Sequence, residues 1–377
     1  MAVKPTTAPD SGAPAAVELR GLRLDAVGEW LAAQPSAPLP PYRFEPVSGG
    51  RTNLTYRVTG SDGRSVALRR PALDDTGTES TGSAAAREWR ISEALAQRGF
   101  PVPRPVARCT DPSVTGARFS VVEWVDGRAV GDAEAARRLT ASARAVVGEA
   151  FVDTLARLHS YEVGELGLAD WVRPRSYLQR QLRAWRGPAL DGLAASSLPV
   201  SRADALAEGL DSAAKLLSAE DPVPVRECVL HGDYRLDNVI VSDTGTVLSV
   251  VDWELAAVGD PLADLAYTMV MWEPFDSLGR SAPTSVAGFS SSSALVARYR
   301  AAVPFSVDQR QLDLHLAFAA WRAACIGALV LARYEAGATA GSAIDASRAD
   351  DYITHYLGRF GEHYAAFAEG GTRNKVY

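Results

Sequence analysis

The sequence predicts an α+β fold in two lobes, a small β-rich N-lobe with one main helix and a larger, mostly helical C-lobe. The 377 residues exceed the usual size of one domain, and a hydrophobic content of 47% is enough to fill two cores. Short strand patterns separated by turn residues occupy the early part of the chain, whereas helical apolar spacing dominates later. A protein of two domains fits these observations.

The N-terminal segment 1–16 is rich in alanine, proline and threonine but has no apolar stretch. A secretory signal needs such a stretch, so we interpret the segment as a disordered leader.

A hairpin with a glycine-rich tip is predicted at 46–58. Gly49 and Gly50 would let backbone N–H groups approach a phosphate closely, and Ser48 and Asn53 add short polar donors. No Walker A or G-x-G-x-x-G pattern is present. An ordinary surface hairpin is therefore the simpler interpretation of this segment taken alone.

Three further patterns complete the N-lobe. A strand beginning at Val66 ends on Arg69, whose guanidinium could grip a phosphate through two parallel hydrogen bonds, and Arg70 competes for that role. Strong helix formers fill 84–95. Residues 119–127 have the pattern of a strand followed by an Asp-Gly turn.

The residues with the clearest chemical pattern surround Asp233. Asn238 follows Asp233 by five residues and precedes an apolar run, which suits a loop that leads into a short buried strand. A turn and a second strand would then return the chain and deliver Asp252 beside Asn238. Asn238 and Asp252 would then place two oxygen ligands, the type that Mg²⁺ prefers, close together. Asp233 would remain free to accept a hydroxyl proton.

This spacing resembles the protein-kinase catalytic loop, in which Asp is followed five residues later by Asn and then by a metal-binding Asp. Gly232 replaces the usual Arg, and Asp-Trp-Glu at 252–254 replaces Asp-Phe-Gly. With the Gly-Asp-Pro-Leu-Ala-Asp-Leu-Ala run at 259–266, these departures resemble the aminoglycoside phosphotransferase and choline kinase superfamily, whose members phosphorylate small molecules. The resemblance implies a bilobal protein-kinase-like fold, with the N-lobe at 17–127, the C-lobe at 128–377, ATP as phosphoryl donor and Mg as metal.

The same resemblance implies roles for further residues. Arg69 stands where kinases have the Lys of Val-Ala-Ile-Lys, and Glu88 would pair with it and orient it. The Glu123 carbonyl and the Val125 amide would hold adenine at a hinge. Arg235 could neutralise charge on the transferred phosphoryl group, although a surface salt bridge explains it equally well.

The helix predicted near residue 177 is where we expect the acceptor to bind. Five arginines and no acidic residue lie within 173–186. An aminoglycoside site should instead present acidic groups to ammonium groups, so an anionic substrate is favoured. A solvated amphipathic face is the simpler interpretation of any one residue, but four side chains are candidates for acceptor binding: Tyr177, Arg180, Arg183 and Trp185.

One subgroup of the superfamily is especially similar to the segments 68–71, 177–185 and 251–256. It is the kinase-like domain that is fused to, or encoded beside, acyl-CoA dehydrogenases. The resemblance implies phosphorylation of a hydroxy acid or a hydroxyacyl-CoA, with a separate acyl-CoA dehydrogenase in the same pathway.

Composition argues against several other classes of protein. The net charge of −6 and the absence of a basic run argue against a nucleic-acid partner. Cys109, Cys228 and Cys325 are far apart in apolar surroundings, which indicates reduced thiols in a cytoplasmic protein rather than a disulfide framework or a zinc site. The apolar segment 316–332 contains Arg322 and is short for a membrane span, so we expect a buried helix.

The main hypothesis is therefore an ATP- and Mg-dependent O-phosphotransferase that acts on a hydroxyl of a small molecule. One alternative is an antibiotic phosphotransferase for an aminoglycoside or a macrolide, and the arginine-rich helix weighs against an aminoglycoside. The other is a nucleotide-binding pseudokinase without activity. The Arg at position 69, where kinases have Lys, supports the pseudokinase alternative. The presence of Asp233, Asn238 and Asp252 argues against it.

Overall fold

The structure, a computed structural model, describes residues 19, 21–47, 53–71, 82–273, 275–276, 278–336 and 348–373. These residues form two compact units. The smaller contains the described residues of Met1–Gly82 and Val106–Val122, and the larger contains those of Ser83–Pro105 and Glu123–Tyr377. The smaller unit is rich in strands and the larger is mostly helical, which confirms the α+β class. The lobe boundary after residue 127 remains a prediction.

The smaller unit is built on a sheet. Its elements are α1 (Leu24–Ala32), β1 (Arg43–Val47), β2 (Asn53–Thr59), β3 (Ser65–Pro71), β4 (Pro105–Cys109) and β5 (Phe119–Glu123). The strand order is β1-β2-β3-β5-β4, and β2 pairs antiparallel with both β1 and β3. Side chains alternate between faces along a strand, so Val66, Leu68 and Arg70 share the buried face of β3. Val66 and Leu68 belong to the same apolar core as Leu31 of α1.

The larger unit consists of helices around two small sheets. The helices are α2 (Gly82–Gln97), α3 (Ala133–Arg137), α4 (Ala141–Ser160), α5 (Tyr177–Ala194), α6 (Val200–Ser218), α7 (Pro261–Trp272), α8 (Ser292–Ala302), α9 (Gln309–Glu335) and α10 (Ala349–Arg373). The strands are β6 (Arg128–Ala129), β7 (Cys228–Leu230), β8 (Val239–Val241), β9 (Val247–Val250) and β10 (Ala257–Gly259). The sheets have the orders β6-β8-β9 and β10-β7.

Short polar residues define where many of these helices begin. The side chains of Thr140, Ser176, Asp260 and Asp308 each accept a hydrogen bond from a backbone N–H in the first turn of α4, α5, α7 and α9. Such a cap satisfies an N–H that has no partner inside the helix, and each cap contributes about 1 kcal/mol. At α7 the cap Asp260 is followed by Pro261, which has no N–H to satisfy.

Helix α9 forms the centre of the larger unit. It is long and apolar enough to cross a membrane, but 78% of its most apolar window is buried inside the protein. It packs against α5, α6, α7 and α10. A Cβ at Gly327 would lie 2.7 Å from the Tyr352 ring, so glycine permits the close approach of α10. The expected buried helix at 316–332 is confirmed, and it extends further at its N-terminal end.

The hairpin β8–β9 connects the two predicted metal ligands, Asn238 and Asp252. Val239 pairs with Val250 in antiparallel register, as the apolar runs predict. One step further along the ladder, the Val251 N–H donates a 2.9 Å hydrogen bond to the Asn238 carbonyl. Asp252 therefore directly follows a residue whose backbone is bonded to that of Asn238.

Candidate active site

A loop between β7 and β8 carries Asp233, and its shape depends on Gly232. Gly232 has φ +82°, and a Cβ at this position would lie 2.4 Å from the Leu255 carbonyl oxygen. Both the left-handed backbone and the close contact require glycine. The protein-kinase Arg could not occupy this position in the present geometry.

Buried polar residues hold the start of the loop. Asp264 of α7 accepts hydrogen bonds from the N–H groups of His231 (2.6 Å) and Gly232 (2.9 Å). His159 of α4 lies with Nε2 3.5 Å from Asp264, and its Nδ1 is 2.6 Å from the Tyr299 hydroxyl. Burial opposes ionisation of Asp264, but its contact with His159 and the hydrogen bond that it accepts from the Gly232 N–H hold its pKa below the usual value. The carboxylate is thus kept charged where it anchors the loop.

His231 connects the loop to the strand that precedes Asp252. Its Nε2 lies 3.0 Å from the Val251 carbonyl, and its Nδ1 accepts a hydrogen bond from the Asp233 N–H at 3.3 Å. The ring is fully buried, with its centroid 4.6 Å from that of the Trp253 ring. His231 therefore supports the loop through hydrogen bonds.

Asp233 is the carboxylate best placed for proton transfer. Its side chain is 24% exposed, and its Oδ2 accepts a 3.0 Å hydrogen bond from the Asn238 amide. Burial alone would raise the pKa of Asp233. The positive charges of Arg235 and Arg322 outweigh that effect and hold the pKa below its usual value. The carboxylate is therefore ionised at neutral pH and can accept a proton.

Arg235 lies between two carboxylates of the same loop. Its Nη2 donates to Asp237, and its Nε is 3.6 Å from Asp233. Burial lowers the pKa of Arg235, but the negative charges of Asp233 and Asp237 raise it by more than burial lowers it. The guanidinium therefore remains charged. The salt bridge expected as one alternative for Arg235 is therefore present. The Arg235 side chain is 28% exposed, and its role beside a phosphoryl group remains a prediction.

The two predicted metal ligands fit a magnesium ion by their chemistry. The amide nitrogen of Asn238 donates to the carbonyl and the carboxylate of Asp233, which leaves its amide oxygen as a ligand. Asp252 has φ 70°, a left-handed conformation that aspartate adopts more readily than most residues. Amide and carboxylate oxygens suit Mg²⁺, which binds few protein ligands together with phosphates and water. Within the described residues, no group of three His, Cys, Asp or Glu side chains forms a metal site.

The residues predicted to bind the acceptor have different environments on α5. Tyr177 is buried. Arg180 donates to the carbonyls of Arg175 (2.5 Å) and Val258 (2.6 Å), so it ties α5 to neighbouring backbone. Arg183 is exposed. Trp185 is half-buried, and its ring centroid lies 5.3 Å from the guanidinium of Arg322.

The sequence predicts no role in the site for Arg322, which interrupts an apolar segment. It is 2% exposed and donates a 2.6 Å hydrogen bond to the Gly232 carbonyl. The sequence does contain one indication that Arg322 has a buried partner. A charged side chain within an apolar helical stretch is buried only when it has a partner.

The predicted nucleotide-binding residues of the smaller unit are only partly described. Ser48, Gly49, Gly50 and the side chain of Asn53 lie outside the described residues. In β3, Arg70 is buried and donates to the Gly21 carbonyl, which commits it to the core of its own unit. Arg69 is half-buried on the opposite face of the strand and remains the better candidate for phosphate binding.

The remaining predicted residues belong to the larger unit. Glu88 lies in α2. Glu123 ends β5 and its N–H donates to the Arg104 carbonyl at 2.8 Å, with Val125 two residues beyond. Their expected roles, in orienting Arg69 and in holding adenine, remain predictions.

Curated relatives match a large part of the chain. Acyl-CoA dehydrogenase family member 11 of Gallus gallus is 34% identical over 259 residues, which cover 67% of this chain and 32% of that protein. The Homo sapiens protein of the same name is 36% identical over 182 residues, covering 48% of this chain and 22% of that protein. The chain thus spans a third or less of the length of these relatives.

Solved structures share the fold over most of the chain. A candidate aminoglycoside phosphotransferase from Ralstonia eutropha JMP134 matches with a TM-score of 0.69 and 24% identity, covering 90% of this chain and 97% of that one. Choline kinase from Cryptosporidium parvum Iowa II gives 0.58 and 11%, covering 88% and 91%. Spectinomycin phosphotransferase, in complex with ADP and spectinomycin, gives 0.57 and 10%, covering 90% and 98%. These matches confirm the predicted kinase-like fold.

A family model also matches, and it covers residues 43–325, more than half of the chain. These residues include the Asp233 loop, the β8–β9 hairpin and the buried anchors Asp264 and Arg322. The chain therefore belongs to the phosphotransferase enzyme family.

Proposed function

We propose that this protein is an ATP- and Mg-dependent O-phosphotransferase that phosphorylates a hydroxyl of a small, anionic molecule. The observation that carries the proposal is the Asp233 carboxylate, fixed by Asn238 and kept ionised by surrounding cations. Family membership supports phosphoryl transfer as the reaction. The ADP bound to spectinomycin phosphotransferase, a protein of the same fold, supports a nucleotide as donor.

Asp233 accepts the proton of the acceptor hydroxyl. As the acceptor oxygen bonds to the γ-phosphorus of ATP, the bond from that phosphorus to the bridging oxygen breaks and ADP leaves. The hydroxyl proton passes to the Asp233 carboxylate and then to solvent. Arg235 offsets negative charge on the transferred group, in competition with its salt bridge to Asp237.

Asn238 and Asp252 would hold magnesium through oxygen ligands. Magnesium bound there would neutralise charge that develops on the leaving group. The Asn238 amide nitrogen also fixes the Asp233 carboxylate, so one residue serves both the proposed base and the proposed metal site.

The proposed donor site includes Arg69 together with Ser48, Gly49, Gly50 and Asn53, which bind phosphates. Glu88 orients Arg69, and the backbone of Glu123 and Val125 holds adenine. The inward position of Arg70, on the buried face of β3, supports Arg69 over Arg70.

The proposed acceptor is a hydroxy acid or its CoA thioester. Two arginines, Arg235 and Arg322, lie close enough to Asp233 to lower its pKa, and Trp185 lies beside Arg322. These cations disfavour an aminoglycoside acceptor, which is polycationic. The relatives named as acyl-CoA dehydrogenase family members support an acyl-CoA-linked acid, with a separate acyl-CoA dehydrogenase as pathway partner.

A phosphotransfer screen tests the proposal. Purified protein, ATP and Mg²⁺ are incubated with hydroxy acids, their CoA thioesters, amino alcohols, aminoglycosides and macrolides. ADP release is measured, and products are examined for a phosphate mass increment. We expect release that depends on a hydroxy acid or its thioester. Phosphorylation of an antibiotic instead would overturn the acceptor class, and ATP binding without transfer to any compound would favour the pseudokinase.

A further inference from the structure

A buried arginine from α9 reaches the peptide group directly before Asp233. The Nη2 of Arg322 donates to the Gly232 carbonyl at 2.6 Å, across a separation of 90 residues in sequence. That carbonyl belongs to the peptide group that joins Gly232 to Asp233. The orientation of this peptide plane determines where the Asp233 side chain begins.

The same glycine is held from its other side by α7. Its N–H donates to Asp264 at 2.9 Å, while its carbonyl accepts from Arg322. Gly232 is the residue with the greatest backbone freedom in the loop, since it has no Cβ to restrict it. Two charged side chains from two helices thus restrain the most flexible residue next to the proposed base.

The guanidinium is itself fixed by aromatic rings. It lies 4.6 Å from the Tyr267 ring centroid and 5.3 Å from that of Trp185, both within the range of cation–π attraction. Among the described residues, no carboxylate lies within 4.0 Å of Arg322, and its buried Nε has no hydrogen-bond partner. A buried cation without an ion pair is costly. The contact with Gly232 is its one hydrogen bond to the loop.

We propose that Arg322 is a positioning residue, which fixes the Gly232–Asp233 peptide and thereby holds the Asp233 carboxylate in place for proton transfer. The proposal rests on the proposed phosphotransferase function. Arg322 acts through the loop and does not touch the reacting atoms. Through Trp185 it also links the α5 wall, where we expect the acceptor, to the base.

Three variants test this role. Arg322→Met removes the charge and the donors but keeps a long apolar side chain, and Arg322→Lys keeps a charge and a donor. Arg310→Met is the matched control, because Arg310 is on the same helix, lies 4.1 Å from the Phe367 ring centroid and donates to the Phe367 carbonyl at 3.2 Å. We expect kcat of Arg322→Met to fall about 100-fold, as for a displaced catalytic group. KM for ATP should stay near the wild-type value, Arg322→Lys should recover part of kcat, and Arg310→Met should match the wild type.

Hydrogen–deuterium exchange gives a readout that does not depend on activity. The peptide covering 231–238 should exchange faster in Arg322→Met than in the wild type or in Arg310→Met. Wild-type kcat together with wild-type exchange in folded Arg322→Met would overturn the proposal. If the wild type phosphorylates nothing, the proposed function fails, and the exchange data alone decide whether Arg322 holds the loop. If the Met variant does not fold, Arg322→Gln is judged by the same criteria.

Discussion

Among single residues, Gly232 combines two constraints that can be separated by experiment. Its φ is +82°, and a Cβ would lie 2.4 Å from the Leu255 carbonyl oxygen. Gly63 has a similar φ of +76°, but no atom of the described residues beyond its chain neighbours lies within 4 Å of the Cβ position. The pair distinguishes backbone strain from steric exclusion.

We predict that Gly232→Ala destabilises the protein by about 2–4 kcal/mol, whereas Gly63→Ala costs about 1 kcal/mol. Both variants must adopt a left-handed conformation, but only the first must also displace the Leu255 backbone. Urea unfolding measures the two free energies. Equal losses of stability would show that the contact at Leu255 relaxes without cost.

Asp264 is a second residue whose charge matters for stability. Because its pKa is lowered in the folded protein, it contributes stability that is present above its unfolded-state pKa. That contribution is lost as the pH falls through the lower, folded-state pKa.

We predict that Asp264→Asn lowers the free energy of unfolding by about 3 kcal/mol at pH 7, because it weakens bonds to two buried N–H groups and to His159. The difference from the wild type should shrink in acid. Asp170, the exposed ion-pair partner of Arg90, serves as control, since Asp170→Asn should leave the free energy of unfolding nearly unchanged. A difference that grows on acidification would contradict the sign of the Asp264 effect.

At the level of elements, local signals made the site predictable in part. The β8–β9 hairpin and the cap at Asp260 depend on residues close in sequence, so pattern and turn chemistry identify them. The inward side chain of Arg70 could also have been inferred, because Val66, Leu68 and Arg70 alternate along one strand. The contact of Arg322 with Gly232 spans 90 residues and depends on how α9 packs, which no local pattern encodes.

Helix α9 shows why packing decides such contacts. Trp321, next to Arg322, is fully buried, and its Nε1 donates to the Leu210 carbonyl of α6 at 3.0 Å. Trp321 thus helps to fix the helix that delivers the buried guanidinium to the loop.

We predict that Trp321→Ala destabilises the protein by about 3–5 kcal/mol, through lost burial and the cavity that remains. Tyr334 is 51% exposed near the end of the same helix, and Tyr334→Ala should change stability by less than about 1 kcal/mol. Thermal unfolding followed by circular dichroism compares the two. A small effect at Trp321 would mean that α9 is not packed as described.

At the scale of the whole molecule, family membership supports phosphoryl transfer, and the proposed reaction uses magnesium. The described residues offer Asn238 and Asp252 as ligands rather than a cluster of three or more acidic or histidine side chains. Such a site depends on the nucleotide phosphates to complete the metal coordination.

We therefore predict that EDTA abolishes acceptor-dependent ADP release and that added Mg²⁺ restores it. Asp252→Asn should require more Mg²⁺ for half-maximal rate, because one anionic ligand becomes neutral. In both proteins, ATP should increase the affinity for the metal. Full turnover in EDTA would remove the metal from the proposed mechanism.

In the proposed reaction, the Asp233 carboxylate accepts the proton of the acceptor hydroxyl. The measurement is acceptor-dependent ADP release by Asp233→Asn, with the acceptor found in the screen and saturating ATP and Mg²⁺. Asp237→Asn is the matched control, because Asp237 lies in the same loop and contacts the same arginine. We predict that kcat of Asp233→Asn falls by about 10²–10⁴-fold, the usual contribution of a general base, while Asp237→Asn keeps most of its activity. Undiminished turnover by a folded Asp233→Asn variant would contradict the claim.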